Sequence, residues 1–153
     1  MVMTDFELLL KKGQVGEQAA LEYFKKLTEV KDRTDYNEHK FYQKKGFDFE
    51  FLNRKTQTWD RAEVKTNIRE NNLTFFELYN KKQDLGWFNT STADILVLFS
   101  VYTKKLYYCN LKEMRNYIKS RIDSKSINYS TVKDGSIGVW IPVNKNSLIK
   151  ELE

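Results

Sequence analysis

Cysteine and histidine each occur once, and that scarcity removes several common chemistries. Cys109 has no second cysteine to form a disulfide with, and a cysteine-rich zinc site cannot be built. His39 is the only imidazole, so a Ser-His-Asp triad or a histidine metal centre would have to rest on that one residue. Any bound metal would therefore be held by oxygen ligands, which points to Mg²⁺ or Mn²⁺. Pro142 is the only proline, which excludes a proline-rich linker. No apolar run approaches the ~20 residues that a membrane span needs. Leu8-Leu9-Leu10 is short and is followed by Lys11-Lys12. The first residues carry Asp5 and Glu7 and lack the basic start of a signal peptide. The expectation is a cytoplasmic protein with no membrane partner.

What is present describes one globular domain over residues 1–153, long enough for a full core. Hydrophobic residues make up 41% and charged residues 31%, the balance of a folded chain and not of a disordered one. The net charge is +5, and much of the positive charge comes in doublets. These are Lys11-Lys12, Lys25-Lys26, Lys44-Lys45, Lys81-Lys82 and Lys104-Lys105. Any single doublet reads as solubilising surface. Their sum argues for a phosphate polyanion, which gains affinity by releasing counterions. Lys44, Lys45, Lys81 and Lys82 are the candidate contacts.

Thr4-Asp5-Phe6-Glu7 has the pattern of a capping box and predicts a helix start. Gly13 is expected to interrupt this helix. The periodicity resumes from Gln14 with Val15, Ala19, Ala20, Tyr23, Phe24 and Leu27. Residues 28–40 read as irregular, with room for a short strand. Strands are predicted over 47–52, 59–67 and 73–79, with turns at 53–57 and Asn71-Asn72. A loop, or a loop with a short helix, spans 80–92. The run Ala93-Asp94-Ile95-Leu96-Val97-Leu98-Phe99 suits a central strand covered on both faces. A hairpin leads into a strand over 106–110. A helix follows over 111–122, then a loop to 135, a strand over 138–143 and a helix over 146–152. Helices flanking a central mixed sheet give an α/β or α+β architecture.

The informative segments are Gly46-Phe47-Asp48-Phe49-Glu50-Phe51 and Ala62-Glu63-Val64-Lys65-Thr66-Asn67. Strand side chains alternate with a period of two. Phe47, Phe49 and Phe51 are thus expected on one face and Asp48 and Glu50 on the other. In the second segment Ala62, Val64 and Thr66 oppose Glu63, Lys65 and Asn67. Alone, these charges would fit a solvated strand face. Held on a rigid sheet edge, two carboxylates and an ammonium are what a metal-dependent phosphodiesterase needs. Asp48 and Glu63 would hold one or two Mg²⁺ ions, and the Val64 carbonyl lies between Glu63 and Lys65 as a further oxygen ligand. Lys65 would orient or deprotonate the water, or stabilise charge on the phosphorane.

With Glu17 in the preceding helix, these residues resemble the PD-(D/E)XK nuclease superfamily, the restriction-endonuclease-like fold. The motif positions are Val15-Gly16-Glu17, Asp48 and Glu63-Val64-Lys65, with fourteen residues between Asp48 and Glu63. Gly86-Trp87-Phe88 and Ala93-Asp94 are similar to a segment of small phage and bacterial members. The chain departs from the named motif in having Phe47, not proline, before Asp48. The resemblance covers residues 13–110. It implies a Mg²⁺-dependent endodeoxyribonuclease similar to Holliday junction resolvases and phage recombination nucleases, which act on DNA as homodimers. It also gives Glu17 a place, completing the metal site or binding the water; the alternative is a solvated helix position. A non-catalytic nucleic-acid-binding module of the same fold is the second reading.

Other residues stay open between two roles. Glu50 is a supporting carboxylate or an exposed strand residue, and Glu77 reaches the site edge or does not. Asn67 and Thr66 bind phosphate or cap the strand end. Trp87 and Phe88 stack on bases or sit partly buried under a loop. Asp94 is assigned to structural hydrogen bonding, His39 to structure or surface and Cys109 to the core.

Overall fold

The computed structural model describes residues 5–32 and 46–153, with side chains described from residue 11 onward. The capping residue Thr4, and Lys44, Lys45 and His39, lie outside the described residues. The elements are α1 (Asp5–Leu27), β1 (Val30–Lys31), β2 (Phe49–Asn53), β3 (Thr58–Lys65), β4 (Leu73–Tyr79), α2 (Trp87–Thr90), β5 (Ile95–Phe99), β6 (Leu106–Asn110), α3 (Leu111–Asp123), β7 (Ser130–Thr131), β8 (Ile137–Pro142) and β9 (Lys150–Leu152).

A six-stranded sheet runs in the order β1-β2-β3-β5-β6-β9. Its pairs are antiparallel except β3 with β5, which is parallel. The parallel pair needs a crossover, and β4 with α2 supplies it. β4 leaves the main sheet and joins a second, antiparallel sheet of order β4-β8-β7. The architecture is mixed α+β, with helices packed against a mixed multistranded sheet.

β5 lies at the centre. Leu96 and Leu98 bury on one face, and Val97 and Phe99 on the other. On the Val97 side, α1 packs Ala20 and Phe24 against Phe49, Phe51, Ala62 and Val64. The Phe24 ring lies 5.3 Å from that of Phe49 and 4.7 Å from that of Phe51. Each buried phenylalanine contributes about 1.5–3 kcal/mol. On the Leu96 side, the small sheet contributes Phe76, Val139 and Ile141, and α3 contributes Leu111, Met114 and Ile118. The Asn110 side chain caps α3 by accepting the Glu113 N–H at 2.9 Å. Cys109 is buried in this core, and burial pushes its thiol up to about 12.

Three expectations are corrected. Gly13 does not interrupt α1, because a lone glycine costs only about 1 kcal/mol against alanine and removes no hydrogen bond. Residues 146–152 form no helix. A turn capped by Asn146, which accepts the Leu148 N–H, leads into β9, which pairs with β6. Its seven residues are too few for a helix to be stable on propensity, and the open edge of β6 offers ladder bonds instead. Phe47 does not share a face with Phe49 and Phe51. A turn and bend at residues 46–48 precede β2, and the Phe47 ring enters the opposite core beside Phe76 and Leu96. The short strand and short helix expected within 28–40 and 80–92 are β1 and α2. Among the described residues, no helix is long and apolar enough to cross a membrane.

Gly138 in β8 is fixed by close approach. A Cβ there would meet the Phe76 carbonyl and lie 2.7 Å from Phe75 Cζ. Gly138→Ala is expected to cost about 1–3 kcal/mol by overpacking, lowering the thermal midpoint by roughly 2–12 °C. Scanning calorimetry checks this, and an unchanged midpoint would show that β4 and β8 are not so closely apposed.

Candidate active site

The site forms where β3 outruns β2. Phe49 opposite Ala62 is the last ladder pair on that edge, so Glu63, Val64 and Lys65 project beyond it. Asp48 fills the opening. Its N–H donates to the Ala62 carbonyl at 2.8 Å, and its Oδ2 accepts the Val64 N–H at 2.7 Å. The carboxylate thus takes the position that a ladder carbonyl would hold. A strand residue directs its N–H and C=O to the same edge, so the Val64 carbonyl points to the edge that β2 leaves open.

Alternation along β3 buries Ala62 and Val64 toward α1 and sends Arg61, Glu63 and Lys65 to the other face. Glu63 keeps only 13% of its side chain exposed, and Lys65 keeps 29%. Lys65 Nζ lies 3.3 Å from Glu63 Oε1 and 4.7 Å from the centre of the Trp87 ring. Burial pushes the Glu63 carboxyl up to about 7, and the charge of Asp48 adds to the rise. Lys65 opposes this by charge and hydrogen bonding, and Glu17 raises it further.

Glu17 thus lies within electrostatic reach of Glu63. Its helix comes close because of Gly16: a Cβ there would run into Thr66 Oγ1 and lie 3.4 Å from Phe99 Cβ. Thr66 therefore faces α1, away from Glu63. Its hydroxyl is buried with no hydrogen-bond partner among the described residues.

Other candidates are spread more widely. Trp87 lies beside Lys65 and stacks edge-on with Phe76 and Phe88. Phe88 is fully buried and stacked on Phe76, so it belongs to the core. Asn67 has both amide ends occupied: its nitrogen donates to the Phe75 carbonyl at 2.9 Å, and its oxygen accepts from Thr74 at 2.7 Å. It ties the end of β3 to β4. Glu77 accepts the Trp87 N–H at 3.3 Å. Asp94 Oδ2 accepts the Arg61 N–H at 2.8 Å, a structural role at the head of β5. Lys81 and Lys82 are exposed in the turn after β4, where the charge of Lys81 acts on Asp134. Glu50 is half-buried on β2. The two-residue period of β3 also puts Arg61 on the face of Glu63 and Lys65, a basic residue that this period alone could have marked. Its guanidinium lies 4.8 Å from the Phe47 ring.

Among the described residues, no three acidic, histidine or cysteine side chains form a ready-made metal cage. The oxygen donors of this edge are two carboxylates and a backbone carbonyl, a hard set that suits Mg²⁺ or Mn²⁺ with water completing the shell.

No protein-family profile matches the chain. No curated protein matches it in sequence either. Among solved structures, the fold is similar to that of a bacterial homing endonuclease, I-Ssp6803I, at 14% sequence identity and a TM-score of 0.49, over 94% of this chain and 83% of that one.

Proposed function

We propose that this protein is a divalent-metal-dependent DNA endonuclease of the PD-(D/E)XK type. The observation that supports it is the convergence of Asp48, Glu63 and Lys65 on one open strand edge, with Glu63 strained upward in pKa by burial and by its acidic neighbour. A buried carboxylate beside a second one is destabilised until a cation arrives, which is the electrostatic setting of a metal ligand.

Asp48, Glu63 and the Val64 carbonyl would hold the ion. When bound, it supplies Lewis-acid polarisation of the phosphate and a more acidic water. The chain's own groups do the rest. Lys65 carries three N–H donors on a flexible stem and would donate to a phosphate oxygen as negative charge builds on the phosphoryl group. Trp87 limits its swing by holding the ammonium over its ring. Glu17 accepts a hydrogen bond from the attacking water and orients it. The basic doublets Lys81-Lys82 and Lys44-Lys45 track the DNA backbone, and binding weakens steeply with salt.

The substrate in this reading is branched DNA of the Holliday junction or recombination-intermediate type, cut by a homodimer that presents two sites. The test is cleavage of a four-way junction, a flap, a linear duplex and a single strand, each with Mg²⁺, Mn²⁺ or EDTA. Metal-dependent cutting that favours the branched substrates is expected. Binding to all four without cutting would replace this reading with a non-catalytic DNA-binding module.

A further inference from the structure

The outer face of the small sheet does not look like a solvated sheet face. Such faces are normally polar. Here Phe75 on β4 and Trp140 on β8 form a cross-strand pair, with ring centres 5.0 Å apart. Both are half-buried, whereas their neighbours Thr74, Phe76, Val139 and Ile141 turn inward to the core. The guanidinium of Arg69 lies 4.3 Å from the centre of the Trp140 ring. Gly138 leaves the room that the Phe75 ring needs. These side chains line a groove of about 230 Å³ that extends to Trp87, the residue whose ring contacts the Lys65 ammonium. Two carboxylates in the groove are engaged by the protein. Glu77 accepts the Trp87 N–H at 3.3 Å, and Asp134 accepts the Ser136 N–H at 2.8 Å.

From this arrangement we infer that the Phe75–Trp140–Arg69 shelf is a binding site for an unpaired nucleobase of the DNA substrate, next to the phosphate that is cut. The inference rests on the proposed nuclease reading for what it adjoins. It goes beyond that reading in naming the part of the substrate held. Two aromatic rings offer flat surfaces on which any base can stack, and a guanidinium can stack on a ring while pairing with phosphate. A base inside a duplex already has both faces covered by its neighbours. The shelf therefore takes a base that has left the stack, as in a flap, a single strand or the open centre of a junction. Trp87 lines the groove and its ring holds the Lys65 ammonium 4.7 Å from its centre, so a nucleotide on the shelf lies one side chain away from the proposed cleavage site.

The experiment measures binding in EDTA, so that cleavage plays no part. Fluorescence anisotropy compares a short oligothymidylate with one of the same length whose central nucleotides are abasic. The wild type is expected to bind the base-bearing strand tighter by about 5- to 150-fold for each stacked base. Trp140→Ala is expected to lose most of that ratio, and Trp140→Phe to keep much of it. Arg69→Gln is expected to weaken both strands and to flatten the salt dependence. Far-UV circular dichroism shows whether each variant folds. Should Trp140→Ala not fold, Phe75→Ala, which removes the paired ring, is expected to lower the ratio in its place, and an unchanged ratio there overturns the inference. Equal wild-type affinity for the two strands overturns the inference, as does a folded Trp140→Ala that keeps the wild-type ratio. A protein that passes this test but cuts nothing with Mg²⁺ would sink the nuclease reading and leave the shelf standing. One that cuts but ignores the bases would do the reverse.

Discussion

Glu63→Gln is expected to lower metal-dependent DNA cleavage by about 10²- to 10⁴-fold while leaving the fold intact, since a metal ion contributes several kcal/mol of transition-state stabilisation and each 1.36 kcal/mol is tenfold in rate. Glutamine keeps the shape of the side chain and removes the charge that would draw the ion to this edge. Lys65→Ala is expected to cost about 10²- to 10³-fold, the scale of losing one preorganised donor to a charged transition state. Asp48 separates its two jobs by substitution. Asp48→Asn keeps an oxygen to accept the Val64 N–H and loses only the charge, so cleavage falls and stability holds. Asp48→Ala also takes away the Val64 N–H's acceptor, and the thermal midpoint should fall along with activity. Single-turnover cleavage beside thermal melts reads both quantities. Wild-type rates in Glu63→Gln would remove Glu63 from the account.

The second large effect is on stability as pH and metal change together. Burial, with the charge of Asp48 beside it, pushes the Glu63 carboxyl from an ordinary 4.5 up to about 7. Between these values the folded chain binds more protons at this position than the unfolded chain does. The stability this protonation contributes is complete below about 4.5 and is lost as pH rises through about 7. Across that window, the protein without added metal is expected to lose on the order of 3 kcal/mol at most. Glu63→Gln is expected to remove the slope and to be more stable than wild type at pH 8. A divalent ion replaces the proton, so Mg²⁺ or Mn²⁺ should raise the wild-type midpoint more at pH 8 than at pH 5.5, and should do little in Glu63→Gln. Thermal melts over pH and metal concentration test this. A wild-type slope that survives in Glu63→Gln would mean that another group carries it.

How far the sequence could be read follows from which forces act locally. The central strand Ile95–Phe99 was legible because an unbroken apolar run has few other places to go. Glu63 and Lys65 were legible because strand period alone puts them on one face. Phe47 was misread for the same reason: the period of two holds only inside a strand, and the bend at Asp48 resets it. That bend also turns Asp48 into the plane of the sheet, where it bonds Val64, an arrangement no alternation rule contains. The C-terminal segment reads as helix in isolation, and only the edge of β6, where Leu106 pairs with Leu152 and Tyr108 with Lys150, makes it a strand. The departure of β4 into a second sheet is likewise a long-range choice, set by its pairing with β8. The Phe75–Trp140–Arg69 shelf depends on that pairing, so no local pattern marked it. Glu17 stands out in the sequence only through the resemblance, because no local pattern links a helix residue to a strand edge; the close approach of Gly16 to Thr66 is what brings that helix against the end of β3.

The most direct measurement of the central claim is nicking of supercoiled plasmid by wild type and Lys65→Ala side by side, with Mg²⁺ and with EDTA. The account predicts cutting by the wild type that requires Mg²⁺ and is at least about 10²-fold slower in Lys65→Ala. Cutting in EDTA, or equal rates from the two proteins, would contradict a metal-dependent nuclease built on the Asp48–Glu63–Lys65 edge.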